Sequence, residues 1–261
     1  MNKIFENIKC FLFDLDGTVY IGDKLIDGAK RVFQKIKSQN KSYKFLTNNS
    51  SKSADEYFDK LKGLNIELEK SDIITSNMVT INYLKWNFSG KRVYLFASDG
   101  VKNEYKTCGI NLTQDYKNCD VSLLTYNTAL DYKQLCEFVL SLKKSEFYFA
   151  THTDINCPSE EGDLPDAGSI IELINASANM RPQKIFGKPY KIMGEFINGY
   201  CGLQAGQIAM VGDRLYTDME FAKNCSYKSI LVLSGETKKD MVTKKYDLVI
   251  DSIKNLLQLL D

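Results

Sequence analysis

Short, uninterrupted apolar runs recur along the chain, and several of them end abruptly in polar or acidic residues. The first is "CFLFDLDGTVY" (10–20), in which Phe11-Leu12-Phe13 leads straight into Asp14, with Asp16 two residues on. A continuous apolar run of this length suits a strand covered on both faces, so a strand is predicted over Lys9–Asp14. Between such runs the spacing becomes helical. Val32, Phe33 and Ile36 form one stripe, which predicts a helix from Gly28 to about Ser38. A second strand, "YKFLTNN" (Tyr43–Asn49), follows, and a crossover of this length fits a βαβ unit. "SADE" (Ser53–Glu56) is a capping box opening the next helix, with Tyr57, Phe58 and Leu61 facing inward.

The alternation continues through "RVYLFA", "DVSLLTY" and "EFYFAT", predicted strands separated by helices around Val101–Cys108 and Asp131–Lys143. It is interrupted by "HTDINCPSEEGDLPDAG" (His152–Gly168), which holds two of the four prolines, two glycines and several acids. That composition predicts an irregular loop, the kind of segment that often carries function. Strands then resume with "KIFG", "QIAMVGD", "KSILVLSG" and "DLVID". Strand–helix alternation from end to end predicts an α/β protein with parallel sheets. No repeat, low-complexity tract or Gly/Ser-rich linker divides the chain.

Composition narrows the function by exclusion. Lys and Arg number 34 against 33 Asp and Glu, a net charge of +1, so there is no electrostatic footprint for a nucleic acid polymer or a membrane surface. The segment "MNKIFENIKC" lacks the apolar core of a signal peptide, and no stretch approaches the roughly 18 apolar residues of a spanning helix. A cytoplasmic location is therefore expected. None of the seven cysteines forms C-x-x-C, and free thiols are expected in a reducing compartment. His152 is the single histidine, which removes multi-histidine metal centres. Neither a G-x-S-x-G elbow, a P-loop nor a G-x-G-x-x-G fingerprint is present.

Four segments end predicted strands in polar residues: "DLDGT" (14–18), "TNNS" (47–50), "GKP" (187–189) and "GDRLYTD" (212–218). In an open parallel sheet the carboxyl ends of strands share one edge, and ligands bind in the crevice there. Two or three carboxylates, one lysine and a hydroxyl converging at that edge suit Mg²⁺ and a phosphate, since hard oxygen ligands favour Mg²⁺. Each segment taken singly has a local explanation. Asp-x-Asp-Gly forms turns, "GDRLYTD" can open a helix with its carboxylates on the dipole, Thr47 and Asn48 are turn residues, and a lone lysine is usually solvated. An EF-hand loop starting at Asp14 fails, because its sixth and twelfth positions hold Val19 and Leu25. The four together, in this order, point to one site.

These segments resemble motifs I to IV of the haloacid dehalogenase-like hydrolase superfamily. With "LTNNSS", "PSEEGDLPDAGS" and "MVGDRLYTD", the chain is similar over nearly its whole length to the NagD and para-nitrophenylphosphatase branch. The resemblance implies a doubly wound, Rossmann-like parallel-sheet core of residues 1–80 and 182–261, with an inserted α/β cap domain over residues 81–181. It implies a Mg²⁺-dependent phosphatase that hydrolyses monoesters of small phosphorylated metabolites, sugar or nucleotide phosphates, through an aspartyl-phosphate. Asp14 would be the nucleophile and Asp16 the general acid and base. Asp14, the backbone carbonyl of Asp16, and Asp213 would hold the metal. Thr47, Asn48 and Lys188 would bind phosphoryl oxygens, with Asp218 behind them orienting the metal's waters or Lys188. The aspartate at position 16 is shared by phosphatases and mutases of the superfamily, whereas its transport ATPases carry threonine there; the cap resembles that of the phosphatases. A protein phosphatase and a non-catalytic phosphate-ligand sensor are the alternatives on this fold, and the complete set of acids speaks against the sensor. A cysteine phosphatase is excluded, since no C-x5-R occurs. His152 stands in "ATHTD", where the branch more often has asparagine. His152 and Asp154, with Ser159 and Glu160, are candidates for substrate contact from the cap. Homodimers and larger assemblies are common in the branch.

Overall fold

The apolar run Cys10–Phe13 is a strand with all four residues buried in the computed structural model, which describes residues 3–159 and 161–260. Its place in the sheet explains the absence of polar alternation. Six strands lie in the order Leu248–Ile250, Lys228–Val232, Ile208–Gly212, Cys10–Phe13, Ser42–Thr47, Ile73–Thr75, so the first strand in the sequence lies inside the sheet. The ladders Cys10↔Ile208, Cys10↔Ser42, Ala209↔Lys228 and Ile230↔Leu248 are all parallel. Phe13, Thr47 and Gly212 therefore end on the same sheet edge, and the residues after them emerge together.

Contacts divide the chain into two compact units, one of residues 1–47, 58–74 and 188–261, the other of residues 48–57 and 75–187. In the first, helix Ala29–Ser38 buries Val32, Phe33 and Ile36, the predicted stripe. Phe33 meets Phe13, Tyr43 and Phe45 with ring centroids 5.2, 4.9 and 5.2 Å away, so one aromatic side chain seats the helix on two neighbouring strands. After Gly212 the chain makes a π-helical turn, Leu215–Met219, before helix Glu220–Cys225, where the sequence suggested a plain helix start. Such turns are rare and recur at functional sites.

The second unit has its own four-stranded parallel sheet, in the order Lys184–Ile185, Phe147–Ala150, Val121–Leu124, Val93–Phe96. Helices Tyr132–Ser141 and Ala167–Ala178 contribute Phe138, Ile170, Ile171 and Ile174 to a core with Phe96, Leu124 and Tyr148. One expectation is corrected here. The segment predicted to be irregular contains an antiparallel hairpin, Asn156–Ser159 with Gly162–Pro165. It carried no alternation signal because Gly162–Pro165 is exposed throughout. Pro158 and Pro165 are tolerated because each strand of a two-stranded ribbon is an edge. Among the described residues no helix is long and apolar enough to cross a membrane.

Candidate active site

Asp14 directly follows the strand Cys10–Phe13 and still donates its amide to the Val211 carbonyl at 2.9 Å. Asp213 directly follows the neighbouring strand, Ile208–Gly212. Two adjacent parallel strands thus deliver two carboxylates side by side. The turn after Asp14 is shaped to admit the second one. Gly17 has φ +84°, and a Cβ there would lie 2.5 Å from Asp213 Oδ2, so both conformation and space require glycine. Asp213 Oδ1 accepts from Thr18 Oγ1 at 3.2 Å and Oδ2 from the Glu236 amide at 2.7 Å, which fixes the rotation of the carboxylate.

Asp218 comes from the π-helical turn and is fully buried. Its Oδ2 accepts from the Arg214 amide at 3.1 Å, and a Cβ at Gly212 would collide with its side chain. Lys188 completes the group. Its Nζ lies 2.5 Å from Asp14 Oδ1, 2.7 Å from Asp218 Oδ1 and 3.5 Å from the Leu46 carbonyl, with the residue only 2% exposed. An ammonium has three hydrogens, and these three acceptors are arranged around it.

The electrostatics follow from burial. Burial pushes the Asp14 carboxyl well above the usual range; Lys188 opposes the rise, while Asp218 and Asp213 add to it. Burial works to discharge Lys188, but Asp14 and Asp218 outweigh it and hold the ammonium above its ordinary pKa. Asp213 is pushed up to about 6 by burial and by Asp218, with the Glu236 amide and Arg214 opposing. Three carboxylates thus face one buried lysine. Their oxygens lie within 4.8 Å of one another, a donor set able to hold a metal ion. A hard divalent cation fits this excess of negative oxygen.

Asp16 lies in the same unit, half-buried, with Oδ2 accepting from the Tyr20 hydroxyl at 3.3 Å. Lys60 Nζ sits 4.0 Å from the centre of the Tyr20 ring. Thr47 ends the strand Ser42–Thr47 and is buried. Asn48 is buried in the second unit, its carbonyl accepting from Ser76 Oγ at 2.6 Å and its Nδ2 donating to Asp154 Oδ1 at 3.0 Å. His152 has no exposed surface; Nε2 lies 3.0 Å from Asp166 Oδ1, and Nδ1 lies 3.2 Å from Thr151 Oγ1. Glu160 lies outside the described residues. The structure thus gathers Asp14, Lys188, Asp213 and Asp218 in the first unit, and Asn48, His152 and Asp154 in the second.

Sequence reasoning passed over Thr18, Tyr20 and Gly235. The first two lie inside "DLDGTVY" and could have been found as polar groups within one turn of Asp14. Gly235 follows an apolar strand run, and a Cβ there would collide with Asp213; glycine after a strand is a signal of close approach.

A family model described as haloacid dehalogenase-like hydrolase matches residues 11–111, and a second, HAD-hydrolase-like model matches residues 185–256. An acid sugar phosphatase of Staphylococcus haemolyticus is 30% identical over 251 residues, 96% of this chain and 95% of its own. The sugar-phosphatase AraL of Bacillus subtilis is 30% identical over 249 residues, 95% of this chain and 92% of its own. The crystal structure of a 4-nitrophenylphosphatase of Thermotoga maritima superposes with a TM-score of 0.95 at 35% identity, covering all of both chains. The matched segments include Asp14 and Asp16 in the first model and Lys188, Asp213 and Asp218 in the second. The chain belongs to the haloacid dehalogenase-like hydrolases, in the NagD and para-nitrophenylphosphatase branch, and is a phosphoric monoester hydrolase.

Proposed function

We propose that this phosphatase hydrolyses monoesters of small sugar phosphates with Mg²⁺, by way of a phosphorylated Asp14. The observation that carries the mechanism is the buried group itself: Asp14 held by Lys188 at 2.5 Å, with the Asp213 carboxylate beside it. Lys188 sets the rotation of the Asp14 carboxylate and favours its ionised, nucleophilic form against the pull of burial. The carboxylate attacks phosphorus in line with the departing alcohol. Asp16 gives that alcohol its proton, then takes one from the water that cleaves the acyl-phosphate. The Tyr20 hydroxyl orients Asp16 for both transfers. Thr47 and Asn48 donate to phosphoryl oxygens, and Lys188 adds positive charge. Asp14, the Asp16 carbonyl and Asp213 would hold Mg²⁺, which when bound would neutralise charge on the phosphoryl oxygens. Asp218 keeps Lys188 in place from behind.

The preference for sugar phosphates is supported by relatives named acid sugar phosphatase and sugar-phosphatase. The second unit is the cap that selects the alcohol portion, with residues 81–181 as its body. Seven free thiols suit a reducing compartment such as the cytoplasm. A panel of phosphate esters assayed with Mg²⁺, reporting kcat/KM, tests the proposal. Sugar phosphates should lead the panel. Leadership by nucleotides or phosphopeptides would overturn the substrate class, and no turnover of any ester would overturn the function.

A further inference from the structure

A chain of buried polar groups in the second unit ties the segment 48–50 to the start of helix Ala167–Ala178. Asp166 caps that helix, its Oδ1 accepting from the Ala167 amide at 2.5 Å, and the same oxygen faces His152 Nε2 at 3.0 Å. Across the imidazole, Nδ1 lies 3.2 Å from Thr151 Oγ1 and 3.4 Å from Ser50 Oγ. Those two hydroxyl oxygens are 2.8 Å apart, and the Tyr126 amide donates to Ser50 Oγ at 2.8 Å. Two residues beyond His152, Asp154 accepts from Asn48 Nδ2 at 3.0 Å. Gly187 closes the packing: a Cβ there would come within 2.6 Å of Asn48 Oδ1 and 2.8 Å of His152 Cβ.

Such a cluster invites two other assignments, and the geometry argues against both. His152, Asp154 and Asp166 offer ligand atoms within 4.8 Å of one another, but Asp154 and Asp166 already take protein N–H donors and His152 is paired on both ring nitrogens. A seryl nucleophile at Ser50 is equally unsuited, because Ser50 has no exposed surface. His152 likewise has none, and its two ring nitrogens are already engaged by Asp166 and by the Thr151 and Ser50 hydroxyls.

What the ring does is fix a direction. The Asp166 carboxylate can only accept, so Nε2 carries the hydrogen of that bond, and in the neutral ring Nδ1 accepts from a hydroxyl of Thr151 or Ser50. We propose that His152 is a positioning residue for phosphate binding: with Asp166 behind it and Ser50 in front, it holds the segment 48–50 so that Asn48 meets the phosphoryl group, and it does not touch substrate. This rests on the assignment of Asn48 as a phosphoryl donor. It differs from a specificity role in one measurable respect. A contact to the alcohol portion alters some esters and not others, whereas a misplaced phosphate donor alters all of them alike.

The test measures kcat and KM for several sugar phosphates and para-nitrophenyl phosphate, with inorganic phosphate as a competitive inhibitor. In His152→Ala, every KM and the phosphate inhibition constant should rise by one common factor, about tenfold, with kcat changed less. His152→Asn should recover most of that loss, since its amide stands near the Nδ1 position and can still bond the Ser50 and Thr151 hydroxyls. Ser50→Ala, which cuts the relay at its other end, should reproduce the common factor, so the prediction stands even where His152→Ala fails to fold. Unequal factors across the esters, an unchanged phosphate constant in folded His152→Ala or Ser50→Ala, or no recovery in His152→Asn would overturn the proposal. Asn48→Ala separates the two levels. If it leaves phosphate inhibition unchanged, the assignment of Asn48 fails; if it weakens inhibition while Ser50→Ala does not, only the positioning role fails.

Discussion

The ammonium of Lys188 lies 2.5 Å from Asp14 Oδ1, a buried ion pair between residues 174 positions apart in the chain. Removing one partner of such a pair leaves an uncompensated buried charge, at a cost of about 3–5 kcal/mol. Lys188→Met should therefore lower the thermal midpoint and, because Asp14 loses the cation that favours its ionised form, cut kcat/KM about 100-fold or more. Lys188→Arg should not restore activity, since a planar guanidinium cannot replace a point charge bonded to Asp14, Asp218 and the Leu46 carbonyl at once. Thermal unfolding and steady-state kinetics on both variants check this.

Metal dependence should be visible without turnover. A ligand that binds only the folded state stabilises it by about 2.7 kcal/mol at a hundred times its dissociation constant. Mg²⁺ should raise the unfolding temperature of the wild type, and chelation should reverse the rise together with activity. Asp213→Asn should lose most of the Mg²⁺ shift while remaining folded, because its amide oxygen can still accept from the Glu236 N–H while the Thr18 hydroxyl turns to accept from the amide nitrogen. An undiminished shift in that variant would place the metal elsewhere.

Asp16 is separable from Asp14 by leaving group. If Asp16 protonates the departing alcohol, Asp16→Asn should hurt alkyl phosphates most and partly spare para-nitrophenyl phosphate, whose leaving group needs little protonation. Single-turnover rates of the phosphorylation step give the comparison. Equal losses for both classes would remove the acid role.

Much of the fold was legible because it is written locally. The strand at Cys10–Phe13 announces itself as apolar on both faces, and Val32, Phe33 and Ile36 mark a helix by spacing alone. Which strands flank it has no local signature, although both were legible as strands: Ile208 pairs with Cys10 across most of the chain. The hairpin at Asn156–Ser159 and Gly162–Pro165 stayed hidden because its exposed residues carry no burial pattern. At the site, Asp14 and Asp213 could be picked out as acids after strands. The contacts of Lys188 with Asp14 and Asp218, and the burial of His152 among Ser50, Thr151 and Asp166, arise only once distant segments pack.

A stability prediction concerns Glu104 in the second unit. Burial pushes its carboxyl from an ordinary 4.5 up to about 7, with Asp55 and Glu56 adding and the Ala54 amide opposing. Oε1 accepts from that amide at 3.1 Å, while Oε2 is buried without a partner. The folded protein therefore keeps a proton that the unfolded chain releases. Its stabilisation is fully present below about pH 4.5 and is lost as pH rises through about 7. Between pH 5 and 8 the wild type should lose about 1–3 kcal/mol relative to Glu104→Gln. Parallel denaturant titrations at the two pH values would show it, and parallel pH profiles for the two proteins would contradict it.

The central claim is that phosphoryl transfer passes through Asp14. Mixing the enzyme with a radiolabelled sugar phosphate and Mg²⁺, quenching in acid within one turnover and digesting at low pH should leave label on the peptide that contains Asp14. That label should be lost in mild alkali, as an acyl-phosphate is. It should be absent from Asp14→Asn, whose turnover should fall by several orders of magnitude. Label on any other residue, or full turnover in Asp14→Asn, would contradict the account.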